Sequence, residues 1–179
     1  MLFDLRPKER RDEIFDREKE FEELEKNIER YPLTLILGIR RVGKSSILRA
    51  YLRENLGILI DCRELYAESG HITKEDPIRN IQGLLQRLLA KFRIKLNMRF
   101  LEVEPKEASL REVFRELDRL GEETGRFIIA FDEAQYLRFY GSRRGRELLA
   151  LFAHAYDSLP NLRIIFTGSE VAYSMIFSA

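Results

Sequence analysis

The chain has 179 residues, a length that suits one compact domain and would cramp two. Apolar residues make up 45% and charged residues 34%, which excludes a disordered or collagen-like chain. Lys and Arg total 31 against 30 Asp and Glu, so no global basic field exists to drive nucleic-acid binding.

The first eleven residues are too charged for a secretory signal. Arg17 to Arg30 then reads as a helix, with Asp16 as its N-cap and Phe21, Leu24 and Ile28 on one stripe. Leu33 to Leu37, after Pro32, reads as a buried strand, and a helix from Lys44 to Glu54 follows. Gly57 to Asp61 is a second apolar strand, followed by Cys62. As the single cysteine, Cys62 permits no internal disulfide, fits a reducing, cytoplasmic setting, and reads as an inert apolar residue. Ile78, Ile81, Leu85, Leu88 and Phe92 recur at helical spacing. Ile94, Leu96, Met98 and Phe100 alternate with polar residues, which predicts an extended arm or hairpin strand over Arg93 to Glu104. Ser109 and Glu112 form a capping box for a helix reaching about Glu123. Phe127 to Phe131 is a third buried strand, Gly145 to Ser158 a helix, and Leu162 to Phe166 a fourth strand. No stretch approaches the roughly 18 apolar residues of a membrane span. Apolar strands alternating with helices predict an α/β fold, a parallel sheet covered on both faces, with ligands at the carboxyl ends of its strands.

Chemistry concentrates at two of those ends. Gly38-Ile39-Arg40-Arg41-Val42-Gly43-Lys44-Ser45 fits the phosphate-loop pattern G-x-x-x-x-G-K-[ST], between a strand and a helix as the pattern requires. The glycines let the loop turn its amides, including those leading into Ser45 and Ser46, around an anion at a helix N-terminus. Lys44 would reach the β- and γ-phosphates of a nucleotide, and Ser45 would ligate Mg²⁺. Arg40 and Arg41 read as solvated, or as touching a phosphate or a neighbouring subunit. The third strand ends in Asp132-Glu133. Asp132 would hold Mg²⁺ beside Ser45, while Glu133, facing another way, would activate the attacking water. The fourth strand ends in Thr167-Gly168-Ser169-Glu170, and beside the first strand Thr167 would sense the γ-phosphate or hold that water.

These motifs resemble the archaeal ATPase family of the AAA+/STAND-type P-loop NTPases, over residues 10 to 175. Ile14-Phe15-Asp16-Arg17-Glu18-Lys19-Glu20 resembles the family's hhGRxxE box, with Asp16 where Gly is common. The resemblance implies a three-layer core with strand order 5-1-4-3-2, ATP or ADP with Mg²⁺ as cofactors, and Asp16 and Arg17 on the base side. It also implies a fifth strand, a helical lid and often a winged-helix module. The sequence runs only nine residues past Glu170, so residues 1–179 read as one ATPase core truncated before those parts. The first strand would then lie at a sheet edge, and a second copy would cover either this edge or the apolar tail from Val171 to Ala179. Without the lid, hydrolysis would be slow, or the domain would be a nucleotide-gated interaction module.

Tyr136 to Arg146 mixes aromatics with arginines. Arg143 or Arg144 reads as an arginine finger in trans, or the segment as a nucleic-acid contact, or as a solvated loop whose tyrosines pack on the domain. His71 and His154 offer no metal-ligand spacing. The basic residues are 23 Arg and 8 Lys, with five Asn and three Gln, a composition that hints at a thermophilic source.

Overall fold

The computed structural model describes residues 8–39, 42–92, 97–141 and 145–168. Six α-helices and four strands follow one another along them, with three successive helices between the second and third strands: α1 (Glu18–Arg30), β1 (Leu33–Leu37), α2 (Lys44–Glu54), β2 (Gly57–Asp61), α3 (Cys62–Ser69), α4 (Glu75–Phe92), α5 (Leu110–Thr124), β3 (Phe127–Asp132), α6 (Arg146–Ser158) and β4 (Leu162–Gly168). The strands form one parallel sheet in the order β1-β4-β3-β2. Each parallel connection requires a helical crossover, and the crossovers cover the two sheet faces separately.

The two faces have separate cores. Phe21, Leu24 and Ile28 of α1 and Ile47, Leu48 and Tyr51 of α2 pack on Ile128, Ala130 and Ile165. On the other face α3, α4, α5 and α6 enclose Phe127, Ile129, Phe131, Ile164 and Phe166. Phe131, Phe152 and Phe166 form an aromatic cluster there, with centroid separations of 5.4, 5.6 and 4.8 Å. β3 is buried at every position, as befits a central strand of a doubly covered sheet.

Several expectations are corrected. β1 is not a buried strand: it is a sheet edge, and Leu35 and Leu37 are 43% and 45% exposed. Asp16 is not the N-cap of α1: that position is Arg17, which makes no side-chain cap bond, and Asp16 has φ 54°. No strand occupies the described part of the arm. Met98 and Phe100 are buried around a 3₁₀ turn at Arg99–Leu101, and the Gln82 amide donates to Phe100 O and Val103 O in place of a sheet ladder. Residues 93–96 lie outside the described residues. On α4 the buried stripe runs through Ile78, Ile81, Leu85 and Leu89, while Leu88 is partly covered and Phe92 is exposed. The helix α3 was not expected; Asp61 caps it by accepting from the amides of Arg63 and Glu64. The Ser109–Glu112 capping box forms as read. The tail from Val171 lies outside the described residues.

Candidate functional site

The turn between β1 and α2 is built around Gly43. This residue has φ 86°, a left-handed conformation, and its carbonyl starts α2 by accepting from the Ile47 amide at 3.0 Å. A Cβ there would meet nothing within 4 Å, so the glycine serves backbone conformation rather than crowding. No side chain caps this helix start, and its first amides remain available to an anion. Lys44 folds back across the loop: its Nζ donates to Gly38 O at 2.7 Å and Ile39 O at 2.8 Å. Arg40 and Arg41 lie outside the described residues. Ser45 is half-buried in the first turn of α2, while the Ser46 hydroxyl accepts from the Lys8 amide at 3.0 Å.

The segment leading into α1 flanks this loop. Arg17 pairs with Glu20 and donates to Val42 O at 3.3 Å, which ties α1 to the phosphate loop. Between α1, the β1 edge and Lys44 lies a cleft of about 290 Å³, lined in part by Arg17, Asn27, Thr34 and Val42. The Thr34 hydroxyl is buried with no partner among the described residues. Asp16 does not line the cleft. Phe15, a hydrophobic position of the Ile14–Glu20 box with no role assigned from the sequence, is 91% exposed two residues before the Arg17 contact. Its signal was an aromatic side chain with no place in an apolar stripe.

At the end of β3 three polar residues interlock. Asp132 and Thr167 are both buried, and the Thr167 hydroxyl donates to Asp132 Oδ1. The Glu133 amide donates to the same Oδ1 at 3.0 Å and to Thr167 Oγ1 at 3.2 Å. Glu133 has φ 51°, a left-handed conformation uncommon for a residue with a side chain. The Gln135 amide donates to the Glu133 carboxylate, and its own buried Oε1 has no partner among the described residues. Thr167 is 0% exposed and pairs in register with Ile36, so its hydroxyl is committed to Asp132 instead of standing open beside a phosphate. Cys62 lies nearby. Burial, reinforced by the carboxylates of Asp61, Asp132 and Glu133, pushes its thiol well up.

The donor set suits a hard divalent cation only in part. Ser45 and Asp132 offer a hydroxyl and a carboxylate, and Asp132 Oδ2 accepts no hydrogen bond among the described residues. Those residues contain no group of three His, Cys, Asp or Glu side chains able to cage a metal. Two protein oxygens with substrate phosphates completing the shell is how Mg²⁺ is commonly held. In the aromatic segment, Tyr136 and Phe139 pack on each other and on Tyr66 of α3, and Tyr140 is buried, while Arg143 and Arg144 lie outside the described residues.

A parallel sheet in this order, with a glycine-built anion loop after its first strand and acidic residues after its third, defines a P-loop nucleoside triphosphatase fold. The family model described as an ATPase domain predominantly from Archaea matches residues 14–175, and the chain belongs to that family. The Walker-type ATPase Paby2304 of Pyrococcus abyssi is 66% identical and superposes with a TM-score of 0.93, over 99% of this chain and 52% of that one. The ORC2 protein of Aeropyrum pernix, solved in ADPNP–ADP complexes, shares the fold at 13% identity and a TM-score of 0.58, over 92% of this chain and 44% of its own. The chain thus spans about half the length of these solved relatives. No curated protein gives a significant match. No helix among the described residues is long and apolar enough to cross a membrane.

Proposed function

We propose that this domain binds ATP or ADP with Mg²⁺ and hydrolyses ATP slowly, as an AAA+/STAND-type ATPase core working in the cytoplasm. The observation that carries this reading is the Lys44 ammonium held across a loop whose Gly43 opens the N-terminus of α2. Phosphate would replace the Gly38 and Ile39 carbonyls as partner of Lys44, and the amides from Gly38 to Ser46 would surround it. Ser45 and Asp132 would hold Mg²⁺, which neutralises charge developing on the phosphates. Thr167 acts through Asp132, fixing the carboxylate's orientation with its hydroxyl. Glu133 would orient and polarise the attacking water. Arg17 would brace the base side of the loop, with Asp16 setting the turn that delivers it and the exposed Phe15 ring offering a face for the base.

A second reading is a nucleotide-gated module with negligible turnover, favoured by the hydrogen bond from Gln135 that occupies the Glu133 carboxylate. Phosphate release on one preparation separates the two. Under the first reading the parent turns over ATP, and Glu133→Gln retains nucleotide while losing about two to four orders of magnitude in rate. Binding with no release by the parent favours the second. The exposed leucines of β1 favour a further chain segment or a second copy covering that edge. Residues 1–179 are accordingly proposed as one ATPase core within a longer architecture.

A further inference from the structure

The sheet has a second edge, β2, at the far side from β1. The Ile128 amide donates to Leu56 O at 3.0 Å across the β2–β3 ladder. In a parallel pair the bonding residues alternate, so Ile58 and Ile60 face β3, while Gly57, Leu59 and Asp61 turn their N–H and C=O groups outward. Those three residues form the floor of a groove of about 630 Å³. Among the described residues no hydrogen bond reaches the outward backbone of Gly57 or Leu59.

The walls come from both helix layers, α2 on one side and α4 on the other. Arg49 on α2 has a buried Nε, and Asn80 on α4 a buried Oδ1, each without a partner among the described residues. One is a donor and the other an acceptor, and they stand on opposite walls. Both helices run back against the strand direction, which brings their last turns beside Gly57: a Cβ on Gly57 would lie 2.7 Å from Leu52 Cδ2. Arg53, Arg87 and Lys91 therefore gather at that end. Arg53 is engaged by Glu9 at 3.8 Å, Arg87 has no ion pair among the described residues, and Lys91 has only the Phe92 ring. Asp61 and Glu64 stand at the opposite end.

We propose that this groove receives an extended peptide segment of a partner protein, which adds a fifth-neighbour strand to β2 and lays acidic residues over the Gly57 end. Gly57 is buried and Leu59 half-buried, so the outward N–H and C=O of Leu59, unbonded among the described residues, give it main-chain hydrogen bonds, and Arg87 and Lys91 set its polarity. The five residues of β2 span roughly 17 Å, the reach of a short extended peptide. A second folded copy is disfavoured by the recess, because helix walls would collide before two sheet edges came within about 4.8 Å. Nucleic acid is disfavoured by the carboxylates closing one end.

The test is fluorescence anisotropy on the full chain with labelled Glu-Glu-Val-Thr-Val-Thr, and Lys-Lys-Val-Thr-Val-Thr as its charge-reversed control. The acidic peptide binds, and the basic one binds at least about tenfold more weakly. Leu59→Pro removes one outward amide while sparing the β3 side, and it abolishes binding. Arg87→Glu weakens the acidic peptide roughly tenfold, and keeps the test decisive should Leu59→Pro fail to fold. Amide exchange at Leu59 slows when the acidic peptide is bound. No binding, equal binding of both peptides, or indifference to Arg87→Glu overturns the proposal. So does a concentration-dependent dimer that Leu59→Pro dissociates, which would assign the edge to a second copy. ATP binding by both variants stays at the parent level, so failure here is separable from failure of the ATPase reading.

Discussion

Two side-chain-bearing residues among those described adopt left-handed backbone, and both sit at the nucleotide end: Asp16 with φ 54° and Glu133 with φ 51°. The first explains why glycine suits that position of the hhGRxxE box better than aspartate. Asp16→Gly is expected to raise unfolding stability by about 1 kcal/mol, since glycine adopts this conformation at no steric cost. Thermal unfolding checks it, and a loss of stability would show that the Asp16 side chain does more than tolerate the turn. The strain at Glu133 is retained because it splits two adjacent carboxylates between different tasks. Cys62 offers a second residue-scale check. Its buried, raised thiol should stay unmodified by an alkylating reagent at neutral pH until the protein unfolds. Rapid labelling of the folded chain would contradict the described packing. The motif residues were legible because each needs a particular residue type at fixed spacing. The partner of Asp132 was not, because Thr167 lies 35 residues away on another strand and only the β3–β4 pairing brings them together.

At the scale of elements, the capping box was legible because Ser109 and Glu112 stabilise the α5 start through purely local bonds. The arm was misread because alternation in Met98–Phe100 mimics a strand, while the burial of both side chains and the Gln82 bridge decide otherwise. The start of α4 carries an acid-sensitive contact. Burial alone would raise the Asp76 carboxyl, but hydrogen bonds from Thr73 and the Arg79 guanidinium outweigh it and hold the group below its ordinary value. A carboxylate lowered on folding stabilises the fold above its unfolded value, and that stability is lost as pH falls through the folded value. Asp76→Asn should therefore flatten the acid limb of the stability curve below about pH 4 and leave its slope near neutrality unchanged. Urea unfolding across that range measures it, and an unaltered acid limb would remove Asp76 from the account.

For the whole molecule, the order β1-β4-β3-β2 is the part of the order 5-1-4-3-2 that the resemblance implied, and β1 lies at an edge of the described sheet, as expected for a core without its fifth strand. Its exposure was not legible from the run Leu33–Leu37, because an apolar pentapeptide looks alike in the centre of a sheet and at its rim. Among the described residues the same topology leaves β2 unpaired on the opposite side, so two sheet edges of different character stand open there, one leucine-bearing and one lined by basic residues. Between them the nucleotide end depends on three strands converging: β1 delivers the loop, β3 the acids and β4 the threonine. Its governing contact is that of Lys44 with the loop. Calorimetric titration of the parent and of Lys44→Ala with ATP and Mg²⁺ tests this most directly. The parent should take up one nucleotide per chain, and Lys44→Ala should bind at least roughly tenfold more weakly, as loss of a charge-assisted phosphate contact requires. A parent that gives no binding heat or displacement of labelled nucleotide, or a variant that binds as tightly as the parent, would contradict it.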